Sequence, residues 1–259
     1  MNTARSSTLF KFVVATVLLV GLAALLPLSA PLFAALFPEL ERPMYAQESF
    51  VWLLGQHCLL AGVSSVIAVM VGTAVGLGAT RAWGQQFKPM LESIVAISQA
   101  IPPVAVLALA VPVVGFGAAP ALIALSLYGL LPVVQGTMGG LREVPVAQLT
   151  AASALGLTSP QRLRFVEIPL ALPVWLAGVR TSVIINISTA AIASTVGAKT
   201  LGSPIIVGLS GFNTAYVLQG AVLVALLAVV VDLAFDLLAE RVVKPADSPQ
   251  PPCRPTAPL

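Results

Sequence analysis

Apolar positions in this chain run in long blocks instead of alternating with polar ones. Residues 12–37, 51–79, 89–113, 117–138, 171–195 and 214–239 are dominated by Leu, Ala, Val and Ile, and nearly all the charge falls between them. About 20 mostly apolar residues suffice for a helix to cross the hydrocarbon layer, so each block is long enough to span. An outer-membrane barrel would need segments of about ten residues with alternating faces, a pattern missing here. The blocks predict an all-α membrane fold, a polytopic bundle of about six transmembrane helices.

Composition agrees. A chain of 259 residues that is 58% hydrophobic and 9% charged, with mean hydropathy +0.99, carries more apolar surface than a soluble core of that size can bury. With an internal amino terminus, Arg5, Lys11, Arg81, Lys88, Arg142, Arg162, Arg164, Arg241, Lys244 and Arg254 fall on the inner side, against Arg42 and Lys199 outside. That asymmetry predicts a multi-pass membrane protein with a cytoplasmic amino terminus. The net charge of +3 reads as topology information and does not suggest nucleic acid as a partner. The first block follows Arg5 and Lys11 as a signal peptide would, but it is too long for an h-region and lacks a clear cleavage site, so it reads as a retained helix with membrane lipid around it. Cys58 and Cys253 lie too far apart to suggest a disulfide or metal site.

Two features interrupt the simple bundle. Pro102 and Pro103 remove adjacent backbone donors from the third block and should bend or break it, which a bilayer tolerates only beside protein or water. Between the fourth and fifth blocks lies a long inner loop, residues 141–169. Pro145 suits a first helical turn, Gly156 suits a left-handed cap, and Thr158 or Ser159 with Pro160 can open a second short helix that should stop before Pro169. The loop therefore predicts a helix, a glycine hinge and a helix, either a coupling surface for a soluble partner or a segment packed on its own spans. The chain divides into residues 1–50 with the first span, a transmembrane domain over 51–241, and a Pro-rich tail over 242–259 that reads as disordered.

The loop resembles the EAA loop of ABC importer permeases, whose pattern is Glu-Ala-Ala, three residues, Gly, nine residues and Ile-x-Leu-Pro. Here Thr150-Ala151-Ala152 is followed by three residues, Gly156, nine residues and Val166-Glu167-Ile168-Pro169. Thr150 stands in place of the acidic residue, Val166 in place of Ile and Ile168 in place of Leu. The resemblance runs from about Val51 to Arg241. Ile101-Pro102-Pro103, Leu130 to Val134, Leu170 to Pro173, Ala177 to Thr181 and Ile184 to Ala190 are similar to permeases for glycine betaine, choline or carnitine.

The resemblance implies docking to an ATP-binding subunit through Thr150, Ala151, Ala152, Gly156, Arg162, Arg164, Val166, Ile168 and Pro169. It also implies two copies of that subunit, a second permease subunit forming a homo- or heterodimer, and an extracytoplasmic solute-binding protein. The chain has no G-x-x-x-x-G-K-[ST] phosphate loop, so ATP hydrolysis is expected on a partner, with no catalytic residue, metal or cofactor here. The alternatives are a permease for another small solute, or an ion-coupled secondary transporter using Asp232 or Glu92.

Few polar residues fall inside the blocks. Arg180 and Asp232 lie at comparable depth from the inner side and are expected to pair; otherwise Arg180 snorkels and Asp232 shares water with Asp236. Gln99 beside Pro102 and Pro103 is a candidate gate, because a broken helix presents free carbonyls. Asn186 and Thr189 either line a translocation path or hold helices together. His57 reads as a packed residue, and Trp52, Trp83 and Trp175 as an interfacial belt.

Overall fold

The computed structural model describes residues 2–81 and 84–242, without the side chains of residues 2–5, 85, 88, 92, 95, 96, 98 and 99, which include Arg5, Lys88, Glu92 and Gln99. Trp83 and the Pro-rich tail with Lys244, Cys253 and Arg254 lie outside the described residues. The described chain is helical, without strands. Helix α1 (Asn2–Leu25) passes through a 3-10 turn at Leu26–Ser29, which contains Pro27, into α2 (Ala30–Leu36). Helix α3 (Phe50–Ala79) starts at Ser49, whose Oγ accepts the Trp52 amide at 3.3 Å.

The third block does not form one span. It is split into α4 (Lys88–Ala100) and α5 (Pro103–Val114), because Ile101 and Pro102 adopt extended backbone (ψ 123° and 139°). Two consecutive prolines cannot continue the hydrogen-bond ladder, and the residue before a proline disfavours helix. Five helical segments remain long and apolar enough to cross a membrane among the described residues: Ser6–Leu36, Phe50–Ala79, Ala118–Arg142, Ser159–Ala190 and Thr214–Val242.

Helix α6 (Ala118–Arg142) packs between α3 and α9 (Ile168–Ala190) through small residues. A Cβ at Gly72 or Gly76 of α3 would meet Val133 at 2.9 Å or Thr137 at 2.7 Å. On the other side, a Cβ at Gly178 of α9 would lie 2.6 Å from the Pro132 carbonyl oxygen, and one at Gly140 would lie 2.6 Å from that of Ala171. Backbones that approach this closely gain the dense contact which drives helix association in lipid, where the hydrophobic effect is unavailable.

Leu53, Leu107, Leu125, Leu201 and Leu223 are fully buried in the half of the bundle away from the 141–169 loop, where α3, α5 and α6 meet α9, α10 (Gly202–Ser210) and α11 (Thr214–Val242). Helix α10 has no counterpart among the predicted spans. It is nine residues long, contains Pro204 and Gly208, and is held by a 3-10 turn (Ile192–Val196) ending at Gly197 with φ +85°.

Candidate coupling loop and membrane-embedded charges

The inner loop starts where α6 ends. Val144 is buried, Pro145 has extended backbone, and α7 (Val146–Ala154) follows. Its far end is a Schellman cap: the Gly156 amide donates to Ser153 O at 3.0 Å and the Leu157 amide to Ala152 O at 3.1 Å, with Gly156 at φ +78°. Thr158 then opens α8 (Ser159–Arg162), its amide donating to Gln161 Oε1 at 2.8 Å as in a capping box.

The second helix does not stop before Pro169. It widens into a π-helical turn at Leu163–Glu167, in which the Ile168 amide donates to Leu163 O, and runs on as α9. Pro169 can donate no hydrogen bond, and the wide turn is where the ladder changes register just ahead of it.

Candidate docking residues separate by exposure. Thr150, Ala151, Gly156 and Arg164 are exposed, as are Ile168 and Pro169, whereas Ala152 is buried and Arg162 and Val166 are half-buried. Thr150 Oγ1 donates to Val146 O at 3.0 Å, so its hydroxyl is used within its own helix. The outward surface adds residues that spacing alone does not mark: Val146, Leu155 and Phe165 are 76%, 80% and 63% exposed. The Arg164 guanidinium lies 5.7 Å from the Phe165 ring centroid. Exposed apolar side chains, one of them beside a guanidinium, are features found in protein contacts.

Arg162 turns inward. Its Nε donates to Glu167 Oε1 at 3.1 Å and its Nη1 to Ser153 Oγ at 3.4 Å, while Arg81, just past α3, donates to Glu167 Oε2 at 2.7 Å. Sequence reasoning did not find this cluster. Residues 162 and 167 are five apart, a spacing that puts side chains on one face only when a turn is wider than α.

In the spans, Arg180 Nε donates to Asp232 Oδ1 at 2.7 Å and its Nη1 to Asp236 Oδ1 at 2.5 Å. The Asp236 contact completes a group whose two acids lie one turn apart on α11. Asn186 is fully buried between α3, α6 and α9. With Nδ2 donating to Leu125 O at 2.8 Å, its Oδ1 accepts from Ser65 Oγ at 3.0 Å. Thr189 is also buried. The break at Pro102 and Pro103 leaves the Ile101 carbonyl to accept the Tyr128 hydroxyl. His57 is fully buried, with Nε2 3.0 Å from Ile187 O, and Trp175 Nε1 donates to Thr73 Oγ1 at 2.9 Å.

At the end of the bundle away from the loop, Gln219 of α11 accepts the Tyr45 amide at 3.1 Å and donates to Pro43 O at 2.7 Å. Lys199 reaches Glu48 at 2.6 Å. Burial alone would raise the Glu48 pKa, but hydrogen bonds from Lys199 and Tyr45, with the Lys199 charge, outweigh it and hold the carboxyl below its usual range.

Comparison with known proteins matches this architecture. A chain of the MetNI methionine ABC transporter, in an inward-facing conformation, superposes with a TM-score of 0.67 over 77% of this chain and 100% of its own, at 24% identity, a likeness of fold. The choline transport system permease protein OpuBB of Bacillus subtilis is 36% identical over 191 residues, 74% of this chain and 87% of that protein. The osmoprotectant import permease protein OsmY of Salmonella typhimurium is 37% identical over 193 residues, 74% of this chain and 82% of its own. Residues 64–244 match the family model described as binding-protein-dependent transport system inner membrane component. With its membrane-crossing helices and inner helical loop, the chain belongs to that family and is a multi-pass permease subunit of the inner membrane that works with ATP-binding and solute-binding partners.

Proposed function

We propose that this chain forms the translocation path for a quaternary ammonium osmoprotectant such as glycine betaine, choline or carnitine. The observation that carries the reading is identity of 36–37% to permeases named for choline and osmoprotectants, over about three quarters of the chain. Residues 51–241 act as the permease domain, and a second permease subunit pairs with it, identical or related. Two ATP-binding subunits hydrolyse ATP, and their docking surface is the exposed side of residues 141–169, with Val146, Leu155, Phe165 and Arg164 at its centre. The amino terminus lies in the cytoplasm, in keeping with the basic residues at the inner ends of the spans.

The test is uptake of radiolabelled choline into cells lacking their own osmoprotectant importers, with this chain and its partners expressed. Uptake should require the ATP-binding subunit and be competed by glycine betaine or carnitine. ATP-dependent uptake of a different solute, uncompeted by any of the three, would reject the substrate class and leave the importer reading standing. Uptake independent of the ATP-binding subunit would reject both.

A further inference from the structure

Glu167 ties the inner loop to a span that is not its neighbour in sequence. Its side chain is 9% exposed, and its two oxygens are used by different parts of the chain: Oε2 takes Arg81 from the inner end of α3, and Oε1 takes Arg162 from α8. Arg162 reaches on to Ser153 of α7 at 3.4 Å. An unbroken polar chain therefore runs from α3 through Arg81, Glu167, Arg162 and Ser153 to the helix that carries the exposed loop surface.

The backbone is shaped around this contact. The π-helical turn ends at Glu167, and one extra residue in a turn rotates the remainder of the helix by about 100°. Arg162 and Glu167 can meet across that turn, whereas five residues along an α-helix lie on different faces. The cluster holds two guanidinium groups and one carboxylate, so removing the carboxylate would leave two cations facing each other at the joint between loop and spans. Breaking a buried pair by deleting one partner is far more disruptive than never having had the pair.

We infer that Glu167 is a positioning residue for energy coupling, a charged clamp that makes α3 follow the inner loop when a docked partner moves it. The inference rests on the reading of residues 141–169 as the docking loop for an ATP-binding subunit. A joint that couples two sites needs a physical connection which both can bias. The chain from Ser153 to Arg81 is that connection, and it reaches a span that is not contiguous in sequence with the loop.

The experiment reconstitutes the permease with its ATP-binding and solute-binding partners and measures solute imported per ATP hydrolysed. In parallel, hydrogen exchange of residues 146–157 is followed in the permease alone. Glu167→Gln should co-purify with the ATP-binding subunit and hydrolyse ATP, yet import at least about fivefold less solute per ATP. Arg81→Gln should do the same while leaving Arg162, Glu167 and Ser153 in place, so it decides the matter if Glu167→Gln does not assemble. Glu167→Asp, which keeps the charge with a shorter reach, should recover part of the ratio.

Both neutral variants should speed exchange in α7. A wild-type ratio of solute to ATP in Arg81→Gln, with unchanged exchange in α7, would overturn the inference. Should the wild-type permease bind no ATP-binding subunit, the docking reading fails, while hydrogen exchange in the free permease still reads the clamp.

Discussion

Placing one methyl group at Gly178 tests how tightly α6 and α9 must pack. The added Cβ would sit 2.6 Å from the Pro132 carbonyl oxygen and 3.0 Å from Gly136 Cα, whereas ordinary contact begins near 3.4 Å. Both neighbours are backbone, so no side chain can swing aside, and the helices must part by about 0.8 Å at this point. A gap of about 0.5–1 Å forfeits a quarter to a half of each dispersion contact along the seam. Overpacking of this kind costs about 1–3 kcal/mol. At roughly 2–4 °C per kcal/mol for a chain of this size, Gly178→Ala should lower the melting temperature by on the order of 2–12 °C.

The seam also holds Asn186 and Ser182 around Gly129, so transport should fall together with stability. The assay is thermal unfolding of the purified protein in nanodiscs, followed by intrinsic fluorescence. Gly55→Ala serves as the control: a Cβ at Gly55 meets nothing within 4 Å, and the substitution should be neutral or slightly stabilising because alanine is the better helix former. Equal melting temperatures for the two variants would refute the packing argument.

Arg180 has two carboxylate partners, and all three side chains are 32–41% exposed. Asp232→Asn or Asp236→Asn alone should therefore cost less than about 1 kcal/mol, whereas the double variant strands a cation in a span and should reduce folded protein recovered from membranes severalfold; equal yields from single and double variants would count against this. Glu48 has a folded pKa below its unfolded value of 4.5. Its contribution to stability is thus present above about pH 4.5 and lost as the pH falls through the folded value, so the melting-temperature difference between wild type and Glu48→Gln should shrink from pH 7 to pH 3. Gly156 has φ +78° with open space around its Cβ position. Gly156→Val should therefore act through backbone strain alone, costing about 1–2 kcal/mol and weakening co-purification of the ATP-binding subunit, with Gly156→Asn milder; equal retention of the subunit by both variants would exclude strain as the cause.

What could be read from the chain beforehand depended on whether a rule is local. Gly156 announces its cap because few other residues adopt a left-handed backbone, and Pro102-Pro103 announce a break because a missing donor cannot be restored by distant contacts. Helix α10 gave no such notice: nine residues with Pro204 and Gly208 look like loop, and its close packing, with Gly202 against Ala191 and Gly220 of α11 against Ile205 and Leu201, depends on distant residues. Arg180 and Asp232 share a depth that can be counted along two helices. The Glu167 cluster depends on a π turn that no residue pattern signals. It also depends on Arg81, 86 residues away.

The Gln219 contacts with Pro43 and Tyr45 bear on how the protein is made. Thr8 Oγ1 donates to Glu240 Oε1 at 2.9 Å at the opposite end of the bundle, so α11 is held to α1 at one end and to the segment after α2 at the other. Until α11 has inserted, the Pro43 carbonyl and the Tyr45 amide have no Gln219 to meet. Closure of this seam therefore falls after translation of α11. A nascent chain stalled before that point leaves the face of α1 that packs on α11 without its partner.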